Sequence, residues 1–300
     1  QTVTSVLKQH VTQPTCAPTN NSQMTALSVD QLWHDIREFA DQEVRKGGAL
    51  RRLFEQSVMQ HVSLTDALAW ILAHKLNHDA LPFDAVFNDA QRVFSKKDTR
   101  HSILLDLQAI VDRDSACQPA ANAFLFYKGF HALQTHRLAH HHWKNGNKAM
   151  AFALQSKSSS TFDVDIHPAS IIGDGIMFDH ATGIVIGETA RIDNNVSIMQ
   201  SVTLGGTGKQ HDDRHPKISS GVLISCNASI LGNIRLGKNA KVAAGSVVLK
   251  DVAQQTTVAG VPAKSIGAHS SNTPARVMDH YINCDDVNIA LKKRTGKSSA

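Results

Sequence analysis

Apolar residues recur at helical spacing through the first half of the chain. In "SVDQLWHDIREFADQEV", Leu32, Trp33, Ile36 and Phe39 fall three and four positions apart, on one face of a helix. Ser28, with Gln31 three positions on, forms a capping box whose side chains satisfy the free N–H groups of a first turn. "SLTDALAWILAHKL" repeats the scheme from Ser63 with Asp66. "SILLDLQAIVDRD" and "AFLFYKGFHALQTHRLAHHHW" add two further apolar stripes. Short polar breaks join these segments, so residues 28–157 are expected to fold as a helical bundle, preceded by a polar, flexible extension over 1–27.

After the Ser-rich break "SKSSSTFD" the period changes to six. Ile166, Ile172, Phe178, Ile184, Ala190, Val196 and Val202 follow one register. It resumes with Ile218, Ile224, Ile230, Leu236, Val242 and Val248. Six suits neither a 3.6-residue helix nor an alternating strand. It suits a solenoid whose short strands form the walls of a triangular coil, each aliphatic side chain stacking inward on its equivalent in the next coil. The expected class is α+β: an N-terminal all-α domain, then a left-handed parallel β-helix of hexapeptide repeats over 162–267, then a tail over 268–300. From Val202 to Ile218 is sixteen positions, four more than two hexads. A loop, about residues 207–216 within "GTGKQHDDRHPK", therefore leaves the coil. A polar loop on a rigid scaffold is a natural place for function.

Composition narrows the function classes. A chain of 300 residues, 42% hydrophobic, is long enough for two cores and is not disordered throughout. The net charge of +5 owes four charges to Lys292, Lys293, Arg294 and Lys297, which follow the last acidic residue, Asp286. The remainder is close to neutral, which argues against nucleic-acid binding. The four cysteines form no C-x-x-C pair, so free thiols in a reducing compartment are expected, with cytoplasm the default. No apolar run is long enough to span a bilayer, and the first residues lack a signal-peptide core. "HHHW", His140 to His142, lies in helical periodicity where consecutive residues point different ways, so no metal site is expected there.

"DIHPASIIGDGIMFDHATGIVIGETA", "VTLGGTG", "DRHPKI" and "AGSVVLKDV…VAGVPAKSIG" closely resemble the serine acetyltransferase family, over about residues 112–267. The resemblance implies transfer of acetyl from acetyl-CoA to the hydroxyl of L-serine, with no metal. His180 matches the family's general base and Asp165 its carboxylate partner. Asp114 and Asp179 match positions that hold the substrate amino group, and Arg214 the one that pairs with its carboxylate. His215 matches a second active-site histidine that positions substrate, with Glu188 contributing nearby. Gly205 and Gly206 let backbone approach the thioester. Lys241, Ala244 and Lys264 match positions near the CoA pantetheine and phosphates. Cys226 stands in "SCN", where the family has small residues bordering the CoA channel. Inhibition by L-cysteine is implied, as is a trimer or a dimer of trimers. Many relatives end in an Ile that enters O-acetylserine sulfhydrylase, whereas this chain ends "KKRTGKSSA", so a tight complex with that partner is not expected.

Three alternatives are open to the same residues. One is a hexapeptide acyltransferase for homoserine or a sugar. A second is a zinc carbonic anhydrase of this fold, using His180, His211 and His215. The third, a non-catalytic ice-binding solenoid, would need ladders of Thr. The outward positions here mix Asp, Asn, Lys and Arg.

Overall fold

The computed structural model describes residues 29–208, 212–268, 273–278 and 280. The extension over 1–27, the Ser28 cap, His211 and the tail over 281–300 with its terminus lie outside them. Eight helices precede the first strand: α1 (Val29–Lys46), α2 (Arg51–Phe54, running into a π turn over Glu55–Met59), α3 (Leu64–Leu76), α4 (Phe83–Phe94), α5 (Lys97–Arg113), α6 (Ala120–Phe126), α7 (Lys128–Lys144) and α8 (Lys148–Phe162). Ser63 caps α3 as its spacing predicts, its Oγ accepting from the Asp66 N–H at 3.2 Å. Ile36, Leu68, Leu72, Phe94, Leu107 and Phe124 are fully buried between the helices. None of the described helices is long and apolar enough to cross a membrane.

The Ser-rich break is helical, which corrects the expected linker. α8 runs through it to Phe162 because Ala151, Leu154, Ser158 and Phe162, three and four apart, are all buried. Burial of that stripe outweighs the weak helix preference of the serines. Asp163, at φ 57°, then turns the chain into the solenoid. The long stripe after Asp114 is in turn divided into α6 and α7 at Tyr127.

A buried polar knot joins the two halves. Asp106 on α5 is wholly buried and accepts from Gln134 Nε2 (3.0 Å), Arg137 Nε and Nη2 (2.8 and 2.6 Å) and the Ile176 N–H (3.0 Å). Burial pushes its pKa up and the Arg137 charge opposes that shift. Removing the carboxylate leaves a guanidinium unpaired in the interior. Asp106→Ala is therefore expected to cost about 3–5 kcal/mol in chemical denaturation.

The strands form three walls of about five coils. The first sheet is β1 (Val164–Ile166), β4 (Ile184–Ile186), β7 (Thr203–Gly205), β10 (Ser229–Leu231) and β13 (Val247–Val248). The second is β2 (Ile171–Ile172), β5 (Arg191–Ile192), β8 (Lys217–Ile218) and β11 (Arg235–Leu236). The third is β3 (Met177–Asp179), β6 (Ser197–Met199), β9 (Leu223–Ile224), β12 (Lys241–Val242), β14 (Thr256–Ala259) and β15 (Lys264–Ala268). All neighbours are parallel except β14 and β15, whose hairpin ends the solenoid.

The register corrects the six-residue frame. Ile186 pairs with Leu204, eighteen positions on, but Ile166 pairs with Ile186, twenty positions on. Two residues are added between β3 and β4, inside "DHATG". The loop likewise adds eight residues rather than four, since Ile192 pairs with Ile218. The frame slipped unnoticed because each wall buries two positions two residues apart. Ile184, Ala190, Val196 and Val202 are as buried as Ile186, Ile192, Ile198 and Leu204. Part of the expected tail also folds back. α9 (Pro274–Val277) lies on the third sheet, with Ser197 Oγ donating to the Ala275 carbonyl (2.8 Å) and Ser225 Oγ 3.1 Å from His280 Nδ1.

Candidate active site

The two added residues make the corner that carries His180. His180 and Ala181 both adopt positive φ, 54° and 64°, so the chain bulges between the third and first sheets. The His180 side chain is 72% exposed, its Nε2 3.9 Å from Asp179 Oδ1. α7 comes close enough to support this corner because Gly129 has no side chain; a Cβ there would collide with the Phe178 carbonyl. Asp114, at the end of α5, accepts from the Ala116 N–H (2.8 Å) and from the Tyr127 hydroxyl, whose pKa burial pushes far up. Burial also raises the Asp179 pKa; the Asp114 charge adds to that shift and His180 opposes it. Two neighbouring carboxylates at one corner make a locally negative site, which favours a cation.

The same edge continues down the solenoid. Ser201 N–H bonds to the Thr182 carbonyl, Asn227 to Gln200 and Gly245 to Cys226, so His180, Cys226 and Ala244 stand on one edge in coils one, three and four. Three coil steps of ~4.8 Å give roughly 14 Å of groove. Lys264 is exposed beyond it, whereas Lys241 is 3% exposed within the third sheet.

The opposite edge of the first sheet gathers different groups. Arg214 Nη2 lies 2.6 Å from Glu188 Oε2, and this contact holds the Glu188 carboxyl below its usual range. Thr189 organises the loop root: its Oγ1 accepts from the Arg214 and His215 N–H groups (3.0 and 3.1 Å). Its own N–H donates to His215 Nδ1 at 3.2 Å. Nδ1 is therefore the acceptor, and Nε2 carries the proton of a neutral ring. Burial and then the Arg214 charge lower the His215 pKa, which keeps it neutral. Gly206 packs on the Arg214 side chain, and a Cβ on Gly187 would overlap the His215 imidazole. Gly187→Ala is expected to displace that ring and lower kcat/KM about 10²-fold while the fold persists by circular dichroism.

Asp165 sits on β1, on the face between the two edges. Its Oδ1 accepts from Gln155 Nε2 at 2.7 Å, and within one chain it makes no hydrogen bond to His180. The structure thus brings together Asp114, Asp179 and His180 on one edge, and Glu188, Gly205, Gly206, Arg214 and His215 on the other. A three-residue strand, roughly 10 Å, separates them. His180 and His215 therefore do not converge, and among the described residues no cluster of three His, Cys, Asp or Glu side chains could hold a metal ion.

The family profile described as "Serine acetyltransferase, N-terminal" matches residues 32–135, and "Bacterial transferase hexapeptide (six repeats)" matches 215–250. The serine acetyltransferase of Escherichia coli (strain K12) is 44% identical over 261 residues, spanning 87% of this chain and 96% of that one. The chain belongs to the serine acetyltransferase family. A serine acetyltransferase solved in complex with cysteine matches with a TM-score of 0.82 at 42% identity, covering 85% of this chain and all of that one. The Brucella abortus strain S19 serine acetyltransferase in complex with coenzyme A matches at 0.79 and 46%, covering 81% and 99%. The activity of this family member is serine O-acetylation, with acetyl-CoA as co-substrate. Sequence reasoning missed Gly129, Tyr127, Gln155, Gly187 and Thr189, which support the candidate side chains at both edges.

Proposed function

We propose that serine is acetylated where the His180 edge of one copy meets the Arg214 edge of the next in a trimer. The observation that carries this reading is the division of complementary groups between two edges of one sheet. A ring of identical, head-to-tail contacts closes each half-site with the other. Asp114 and Asp179 hold the serine ammonium, and Arg214 its carboxylate through a planar fork. His215 Nε2–H donates to the same substrate.

His180 takes the hydroxyl proton as the serine oxygen attacks the thioester carbon. Backbone N–H groups at Gly205 and Gly206 face the developing oxyanion. When the tetrahedral intermediate collapses, the C–S bond breaks and the thiolate of CoA takes the proton from His180. Asp165 stabilises the imidazolium once neighbouring copies close over the first sheet. CoA runs along the His180 edge past Cys226 and Ala244, with its phosphates toward Lys264. Lys241, being buried, is not assigned to them.

Cysteine carries the same ammonium and carboxylate, so it competes with serine at Asp114, Asp179 and Arg214. Two trimers pair through their helical halves. The test is release of CoA with serine, homoserine or water as acceptor. Serine is expected to be preferred by orders of magnitude, and equal turnover with homoserine would overturn the assignment of the acceptor.

A further inference from the structure

A cavity of about 410 Å³ opens away from both edges, between the start of α5, α7 and β2. Three cations line it, Lys96, Arg137 and Lys144, with three imidazoles, His136, His140 and His141. Asp98 is the single carboxylate in its lining. Arg137 is already neutralised by Asp106. Neither Lys96 nor Lys144 forms an ion pair among the described residues. Lys96 Nζ instead faces His141 Nε2 at 3.3 Å, an ammonium against an imidazole lone pair. Lys96 is also the N-cap of α5 and offers that end no side-chain acceptor. The helix thus adds the positive end of its dipole to the cavity.

The histidines point to the second half of the ligand. His140 Nδ1 lies 2.8 Å from the Pro168 carbonyl, so Nδ1 donates and Nε2 is left as an acceptor. His136, 4% exposed, bonds the Ser170 backbone through its ring, and its Nδ1 is sealed from solvent, so it packs beneath the cavity floor. The two rings lie 5.7 Å apart. Burial, followed by neighbouring positive charge, holds all three pKa values below the ordinary range, His136 furthest. Neutral acceptors beside unpaired ammonium groups call for a ligand that brings both negative charge and hydroxyl donors. A metal ion is opposed by the lysines, and a bare sulfate brings no donor. The volume is that of a small-molecule pocket rather than a single-ion site.

We propose that this cavity binds a hydroxyl-bearing phosphate monoester, its phosphoryl group between Lys96 and Lys144 and a hydroxyl on His140. The site joins α7 to the first coil and is separate from the acetyl-transfer edges. Calorimetry of the full chain with saturating CoA and cysteine present isolates it from the catalytic site. Ribose 5-phosphate is the probe, with inorganic phosphate and sulfate at matched ionic strength beside it. The expected result is one ribose 5-phosphate site per chain, at least about tenfold tighter than inorganic phosphate. The exposed pair Lys96→Ala/Lys144→Ala is expected to weaken it at least about tenfold, and Lys96→Arg/Lys144→Arg to retain it. His140→Phe should abolish the preference over inorganic phosphate. No heat with ribose 5-phosphate at millimolar concentration, equal affinity for inorganic phosphate, or affinity indifferent to the double alanine change would each overturn the proposal.

Discussion

His180→Ala is expected to lower kcat by roughly 10²- to 10⁴-fold at neutral pH while the serine KM moves by less than about threefold. The side chain stands exposed on a strained corner and makes only a long contact to Asp179, so its removal disturbs little else. As the proposed base it acts when the hydroxyl proton leaves, an interaction that strengthens only in the transition state. Asp165→Asn is expected to be milder, since it alters the partner of the imidazolium and leaves the base in place. Steady-state kinetics with CoA release as the signal checks both. Near-normal turnover by His180→Ala would remove it as base.

Acidification supplies a second check on the same edge. Burial raises the Asp179 pKa, so its carboxylate is protonated at a higher pH than an ordinary one. Protonation would remove the charge proposed to attract the serine ammonium. The serine KM should therefore begin to rise, on lowering pH, before the usual carboxylate range is reached.

Arg214→Ala is expected to raise the serine KM by about 10²-fold with a smaller change in kcat. Glu188, which Arg214 grips at 2.6 Å, loses its partner, and so does the substrate carboxylate in the proposed pose. Lysine should restore only part of the affinity, because a point charge cannot reproduce the planar fork. Freed from Arg214, the Glu188 carboxyl should titrate at a higher pH than it does in the unaltered chain. A serine KM unchanged in Arg214→Ala would place the carboxylate elsewhere.

The hexads were legible because an aliphatic side chain every sixth residue has no other use. Their exact frame was not. Each wall buries two alternate positions, so a two-residue insertion moves the count from one buried row to the other without a polar residue appearing. That insertion decides that His180 and Ala181 bulge from a corner beside Asp179, and the same shift concealed the true length of the loop.

As candidates, the site residues were visible in the motif blocks. Their distribution over two edges was not, because it depends on strand register. Thr189, one hydroxyl after Glu188, gives no sign in the sequence that it fixes the His215 tautomer. Nothing in the hexads shows that Lys241 is sealed within the third sheet, or that Gln155, at the end of the expected helical half, reaches Asp165. Both depend on how the chain folds back on itself between neighbouring elements.

The division of the site between two copies is tested most directly by mixing the two lesions. His180→Ala damages one edge and Arg214→Ala the other. If each site joins edges from neighbouring chains, a randomly mixed trimer contains some sites with both edges intact, about one in four at equal expression. Co-expression with distinct affinity tags, followed by tandem purification, removes the parent assemblies and should yield hybrids that recover roughly a quarter to a third of the unaltered activity at low serine, where each parent alone is nearly inactive. Hybrids no more active than the better parent would show that both edges act within a single chain, contradicting the intersubunit site.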